Sequence, residues 1–145
     1  MDRTKIMVYF KLYADVFPIE TVTERLGISP TRSFKKGDII KRVSKDLDHK
    51  RDYSAWIVST GYQESLDVGE VLEQIMLQLQ HQTETINELK REFELECRFA
   101  IVIEMNDGYT PGFHLNLPVI EFANSIGADF DIDLYANPYL GECGD

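Results

Sequence analysis

The sequence predicts an α+β domain, a mostly antiparallel sheet with helices packed on one face. Three observations carry this. Several short runs are rich in β-branched and aromatic residues, as strands are. One stretch, residues 68–96, repeats its apolar positions with helical spacing. Two ten-residue segments, PIETVTERLG and PVIEFANSIG, each run from a proline to a glycine, the natural opening and closing residues of a short helix.

In chain order, KIMVYFKLYA reads as the first strand. Pro18 then opens a helix with Ile19, Val22 and Leu26 on one side and Gly27 as its stop. Pro30 pushes Ser29 out of the helical region, so the chain leaves the helix there. Residues 32–60 read as short antiparallel strands. Within them Lys36, Gly37 and Asp38 mark a turn, residues 44–51 a loop or strand edge, and residues 53–60 the best strand, ended by Gly61. Val68, Val71, Leu72, Ile75, Met76 and Leu79 form one stripe, and Ile86, Leu89 and Phe93 a second. The reading favours two helices broken near residues 81–83. Residues 99–104 are a buried strand and residues 107–112 a turn-rich loop. Residues 113–115 are strand-like, Pro118 opens the last helix, and residues 129–135 alternate strictly as a final strand, with Phe130, Ile132 and Leu134 expected in the core. Ile19, Val22 and Leu26 match Val119, Phe122 and Ile126 in the second Pro-to-Gly segment, which suggests a strand–helix unit used twice in a ferredoxin-like arrangement.

The chain has 145 residues, 43% hydrophobic and 28% charged. That suits a single domain spanning residues 1–145 and excludes a disordered or collagenous chain. No apolar run reaches a membrane span, no signal core is visible, and two cysteines make no disulfide framework, so a cytoplasmic protein is expected. Net charge is −10, which argues against a nucleic-acid partner. Of this, −8 falls in residues 99–145, where there is no Lys or Arg, leaving −2 for residues 1–98. Residues 32–51 form a basic block of local charge +5, with Arg32, Lys35, Lys36, Lys41, Arg42, Lys45, Lys50 and Arg51. Either the basic block and the acidic third complement each other across the sheet, or the acidic third docks a basic partner.

Thr23-x-x-Leu26-Gly27-Ile28-x-Pro30-Thr31, the turn at Lys36-Gly37, Trp56 in a strand, and Ile126-Gly127-Ala128 leading into Asp131-Ile132-Asp133-Leu134-Tyr135 follow one another in an order that resembles a bacterial family, domain of unknown function 4279. The resemblance covers roughly residues 5–136. It implies a bacterial α+β domain without an assigned activity, and it carries over no catalytic residues.

The chemistry on offer is sparse. Asp129, Asp131 and Asp133 share one strand face, roughly 6–7 Å apart, and like charges in a row call for a cation or a basic partner. The calcium-loop pattern fails, because Leu134 and Leu140 stand where it needs Gly and Glu. His49, His81 and His114 are scattered, with no HExxH, CxxC or Cys–His ligand spacing, and no phosphate-binding or nucleophile-elbow motif occurs. Cys97 reads as a small hydrophobe in or beside a strand and Cys143 as part of an exposed tail. Tyr9, Tyr13, Trp56 and Tyr62 read as core and rim.

Two functions follow. The charge favours a non-enzymatic protein-binding domain, in its sharpest form an immunity-type protein that neutralises a basic toxin through Asp129, Asp131, Asp133 and Glu121. No cofactor or metal and no membrane or nucleic-acid partner is expected. The alternative is an enzyme or small-molecule binder, metal-dependent or not, with an acidic pocket at Asp131, Asp133 and His114 beside the 108–112 loop.

Overall fold

A computed structural model describes residues 3–40 and 49–138. Lys41, Arg42 and Lys45 of the basic block, and Cys143, lie outside the described residues.

The central strand, β1 (Lys5–Ala14), sorts its side chains by parity. Ile6, Val8, Phe10 and Leu12 are fully buried, while Met7, Tyr9, Lys11 and Tyr13 on the other side are half-exposed. Pro18 then caps α1 (Ile19–Leu26), which ends at Gly27 in the left-handed region at φ 68°. After β2 (Arg32–Phe34) and the turn in which the Asp38 amide donates to the Lys35 carbonyl come β3 (Ser54–Ser59) and the two-residue β4 (Gln63–Glu64). Asp67 caps α2 (Val68–Leu79) by accepting from the amides of Gly69 and Glu70. The helical stretch breaks after Leu79 and resumes as α3 (Thr83–Phe93), so the expected two helices are present. β5 (Glu96–Met105), α4 (Leu117–Ser125) and β6 (Asp129–Ala136) complete the described chain.

The strands form one sheet in the order β2-β3-β1-β5-β6, with β4 beside β1. All pairs are antiparallel except β5–β6, which is parallel. The four helices bury their apolar stripes against the even side of β1 and the matching sides of β3 and β5. Trp56, fully buried in β3, donates its indole N–H to Thr23 Oγ1 at 3.0 Å and so ties α1 to the sheet. Phe99 in β5 packs Phe10 at 5.0 Å, Phe130 at 5.3 Å and Phe122 at 6.4 Å between ring centres, joining β1, β6 and α4.

Three details depart from the sequence reading. Residues 113–115 are not a strand: the chain crosses there from β5 to α4, and beside them Gly112 makes an isolated bridge to Asp67, the cap of α2. β6 pairs inside the sheet as expected, but Ile132 and Leu134 are 46% and 59% exposed, and only Phe130 packs against the core. The reason is position: β6 is the sheet's border, and the core reaches it only at Phe130. The two Pro-to-Gly segments both form helices whose matched apolar residues face the core. Each helix leads to a strand that runs parallel to the one before it, but β6 is hydrogen-bonded directly to β5, whereas β2 lies beyond β3, one strand removed from β1.

Two measurements check this packing. Phe99→Ala should cost about 3–5 kcal/mol, most of a small domain's stability, whereas Leu134→Ser should change it by under about 0.5 kcal/mol. Comparable losses in urea titrations of the two variants would refute the placement of β6. The single tryptophan gives the second: its emission should be blue-shifted in the native state, and Trp56→Phe should lower the midpoint by leaving Thr23 Oγ1 without its donor.

Candidate functional site

With every helix on one side, the other side of the sheet stays open, and strand register decides what it shows. Tyr9 stands between Ser59 of β3 and Ala100 of β5, and Ala100 leads to Asp131 of β6. One row along, Arg32, Ile57, Lys11, Arg98 and Asp129 lie in line across five strands. Another row joins Met7, Val102 and Asp133.

The β2–β3–β1 half is aromatic and cationic. Phe34 and Ile57 are buried there, with Tyr9, Tyr13 and Tyr53 packed over them. Tyr53 meets Phe34 and Tyr13 edge-on at 5.1 and 6.1 Å. Lys11 Nζ lies 4.7 Å from the Tyr13 ring centre and donates to Tyr53 Oη at 3.2 Å. Arg51 covers the Phe34 ring at 3.9 Å. These cations therefore sit on aromatic faces, where the ring quadrupoles hold them.

The β6 half is anionic. Asp129 takes a bond from Arg98 Nε at 2.9 Å, and this guanidinium holds its carboxyl below the usual aspartate range. Asp131 and Asp133 are exposed and make no ion pair among the described residues. Their negative charge reaches Tyr9, whose phenol is raised above its ordinary value, first by burial and then by Asp133. At the end of the row, burial and a bond with the Glu104 carboxylate raise Tyr62 in the same direction.

Among the described residues, no ion pair joins the acidic third to the basic block. β2 and β6 are opposite borders of the sheet, four strand spacings or about 19 Å apart. Asp129 pairs with Arg98, outside the block, while Lys35 and Lys36 pair with Glu20 and Asp15. The four expected docking residues are divided as well. Asp129, Asp131 and Asp133 share the open face, but Glu121 is an exposed residue of α4, on the helical side.

The alternative pocket is not assembled either. His114 is exposed in the connection before α4, with its carbonyl beside Gly69 at the start of α2, whereas Asp131 and Asp133 are mid-strand on the opposite layer. A cleft of about 510 Å³ does lie beside the 108–112 loop. It is lined by Arg3, Thr4, Glu64, Ser65, Leu66 and Tyr109, with none of the three expected residues. Among the described residues no group of three His, Cys, Asp or Glu is arranged to hold a metal ion. Cys97 is buried under the carbonyl of Ile126, and burial pushes its thiol up, away from a reactive thiolate. No helix among the described residues is long and apolar enough to cross a membrane.

The sequence reading missed the open-face set of Tyr9, Lys11, Tyr13, Phe34, Arg51 and Tyr53. Its signal was present in β1, where Lys5, Met7, Tyr9, Lys11 and Tyr13 alternate with the purely apolar Ile6, Val8, Phe10 and Leu12.

Fold and face together define a class: an α+β domain with its helices on one side of the sheet and a charge-divided open surface on the other. The chain matches the family model for a domain of unknown function (DUF4279) over residues 4–137 and belongs to that family. No curated protein and no solved structure matches it.

The Asp129–Arg98 pair gives a pH test. A carboxyl with a lowered pKa stabilises the fold above its unfolded value, near 3.9, and that contribution disappears as pH falls through the folded value. Because the pair is largely exposed, the effect is a few tenths of a kcal/mol. Asp129→Asn should therefore melt slightly below the parent at pH 7, and the difference should close as the pH falls through the folded value. A gap that persists in acid would remove the ion pair as its cause.

Proposed function

We propose that this domain is a non-enzymatic binding protein whose open sheet face, at its β6 border, docks a basic protein partner. The observation that carries the reading is the pair Asp131 and Asp133: exposed, in line, and without ion-pair partners among the described residues, although cations occupy the same face a few strands away. Carboxylates so placed attract a cationic surface, speed its encounter and lose little on docking, because they break no internal pair. The concentration of −8 in residues 99–145 extends that field.

The sharpest form of the reading is an immunity-type protein that caps a basic toxin. It is supported by an electrostatic design suited to rapid capture. A cytoplasmic setting accords with the free thiol of Cys97.

The test compares the parent with the double variant Asp131→Asn, Asp133→Asn in copurification at low and high salt. The partner should be retained at low salt and released at high salt. The variant should keep its melting temperature, or gain slightly as like charges disappear, while affinity falls by about 2 kcal/mol for each contact that is buried on docking. Equal retention by parent and variant would end this reading. So would a lower melt with unchanged affinity.

A further inference from the structure

β6 is eight residues long and, among the described residues, has a neighbour on one side only. The Asn137 amide donates to the Met105 carbonyl at 2.8 Å, on the β5 side. In a parallel pair the amide and carbonyl of one residue point the same way, and consecutive residues point oppositely. The register between β5 and β6 is unbroken from Asp129 to Ala136. Hence the backbone groups of Asp129, Asp131, Asp133 and Tyr135 face β5, and those of Phe130, Ile132, Leu134 and Ala136 face outward.

This free edge has different chemistry above and below. On the open side stand Asp129, Asp131 and Asp133. On the helix side stand Ile132 and Leu134, 46% and 59% exposed. An exposed edge with apolar side chains is a template for another strand. A second copy of this chain is a poor occupant. Two β6 strands paired with their open faces aligned would bring aspartates against aspartates, and like charges directly opposite are destabilising. The same carboxylates favour a strand with Lys or Arg at alternate positions, and Ile132 and Leu134 favour apolar residues between them.

We infer that β6 captures a partner by strand addition: an extended segment of alternating basic and apolar residues pairs with its free edge. This rests on the basic-partner reading above and specifies its geometry. The outward groups of Phe130, Ile132, Leu134 and Ala136 supply the ladder bonds, the aspartates select the basic positions, and the exposed Ile132 and Leu134 receive the apolar ones.

The probe is a fluorescent eight-residue peptide of alternating Lys and Val, matched to the length of β6. Two controls accompany it: an alternating Glu and Val peptide, and the Lys–Val peptide N-methylated along one edge. N-methylation preserves charge and side chains but removes the donors needed for pairing. The Lys–Val peptide should bind at low salt, the Glu–Val peptide should not, and N-methylation should weaken binding at least tenfold. Hydrogen exchange reads the same event on the protein itself, as slowed exchange of the Ile132 and Leu134 amides when the peptide is added. Leu134→Pro removes an outward donor without touching the pairing to β5, and should lose binding at an unchanged melting temperature. The N-methylated peptide leaves the test intact if that variant does not fold.

Equal binding of the parent and N-methylated peptides, with no change in exchange at Ile132 and Leu134, overturns strand addition while leaving charge-driven docking standing. Equal binding of the Glu–Val peptide overturns the selectivity assigned to the aspartates. Failure of the Lys–Val peptide to bind overturns strand addition too. The basic-partner reading is judged separately, by salt-dependent copurification and the double Asn variant.

Discussion

Everything in this domain depends on the two-sidedness of β1. It pairs with β3 on one flank and β5 on the other, so its residues are held in register from both directions. A slip by one residue would turn Phe10 and Leu12 to the open face and bury Lys11 and Tyr13 under the helices, a cost no other contact could offset. Four helices gather on the even side because that is where apolar surface is continuous. The odd side is then free to hold charge.

The division of charge on that side has a structural cause. Lys11, Arg32 and Arg51 are housed where aromatic side chains occur, on β1, β2 and the approach to β3, and each of the three lies against a ring. Aromatic faces lower the cost of holding Lys11 and Arg51 half-buried without counter-ions. The β6 border carries no aromatic residue on its open side before Tyr135, and its anions stay in water. The surface thus has a cationic half held by its own rings and an anionic half in which, among the described residues, Asp129 is paired and Asp131 and Asp133 are not.

Much of this fold was legible from pattern. The stripes of α2 and α3, the Pro-to-Gly limits of α1 and α4, and the alternation of β6 all rest on local periodicity, which is what a sequence displays most directly. The exposure of Ile132 and Leu134 was not legible. Alternation says which residues share a face, but whether that face is covered depends on how far the core reaches along β6, a tertiary fact. The acidic row was readable for the same local reason. The separation of the basic block from it was not, because strand order is decided by long-range pairing. The residues that carry the family resemblance turn out to hold the fold together. Thr23 and Trp56 bond each other, and Gly27, Gly37 and Gly127 adopt positive φ, at Gly127 with Lys90 Nζ so close that a β-carbon would meet it at 2.8 Å. That explains why the family's motifs point to an architecture and not to a reaction.

The pairing of β1 with β5 also governs when the protein can exist at all. Lys5 pairs with Glu104 and Tyr13 with Glu96, so the strand made first finds its longest partner only after some ninety further residues have joined the chain. Closing a loop of that size before any reward is the slow kind of folding step. During synthesis one flank of β1 must therefore wait, with β3 and β4 beside the other, until residues 96–105 have left the ribosome. The nascent chain is exposed to misassembly through much of its translation, and the step that ends this exposure is the arrival of β5, with the parallel crossover to β6 able to follow only once α4 has been made.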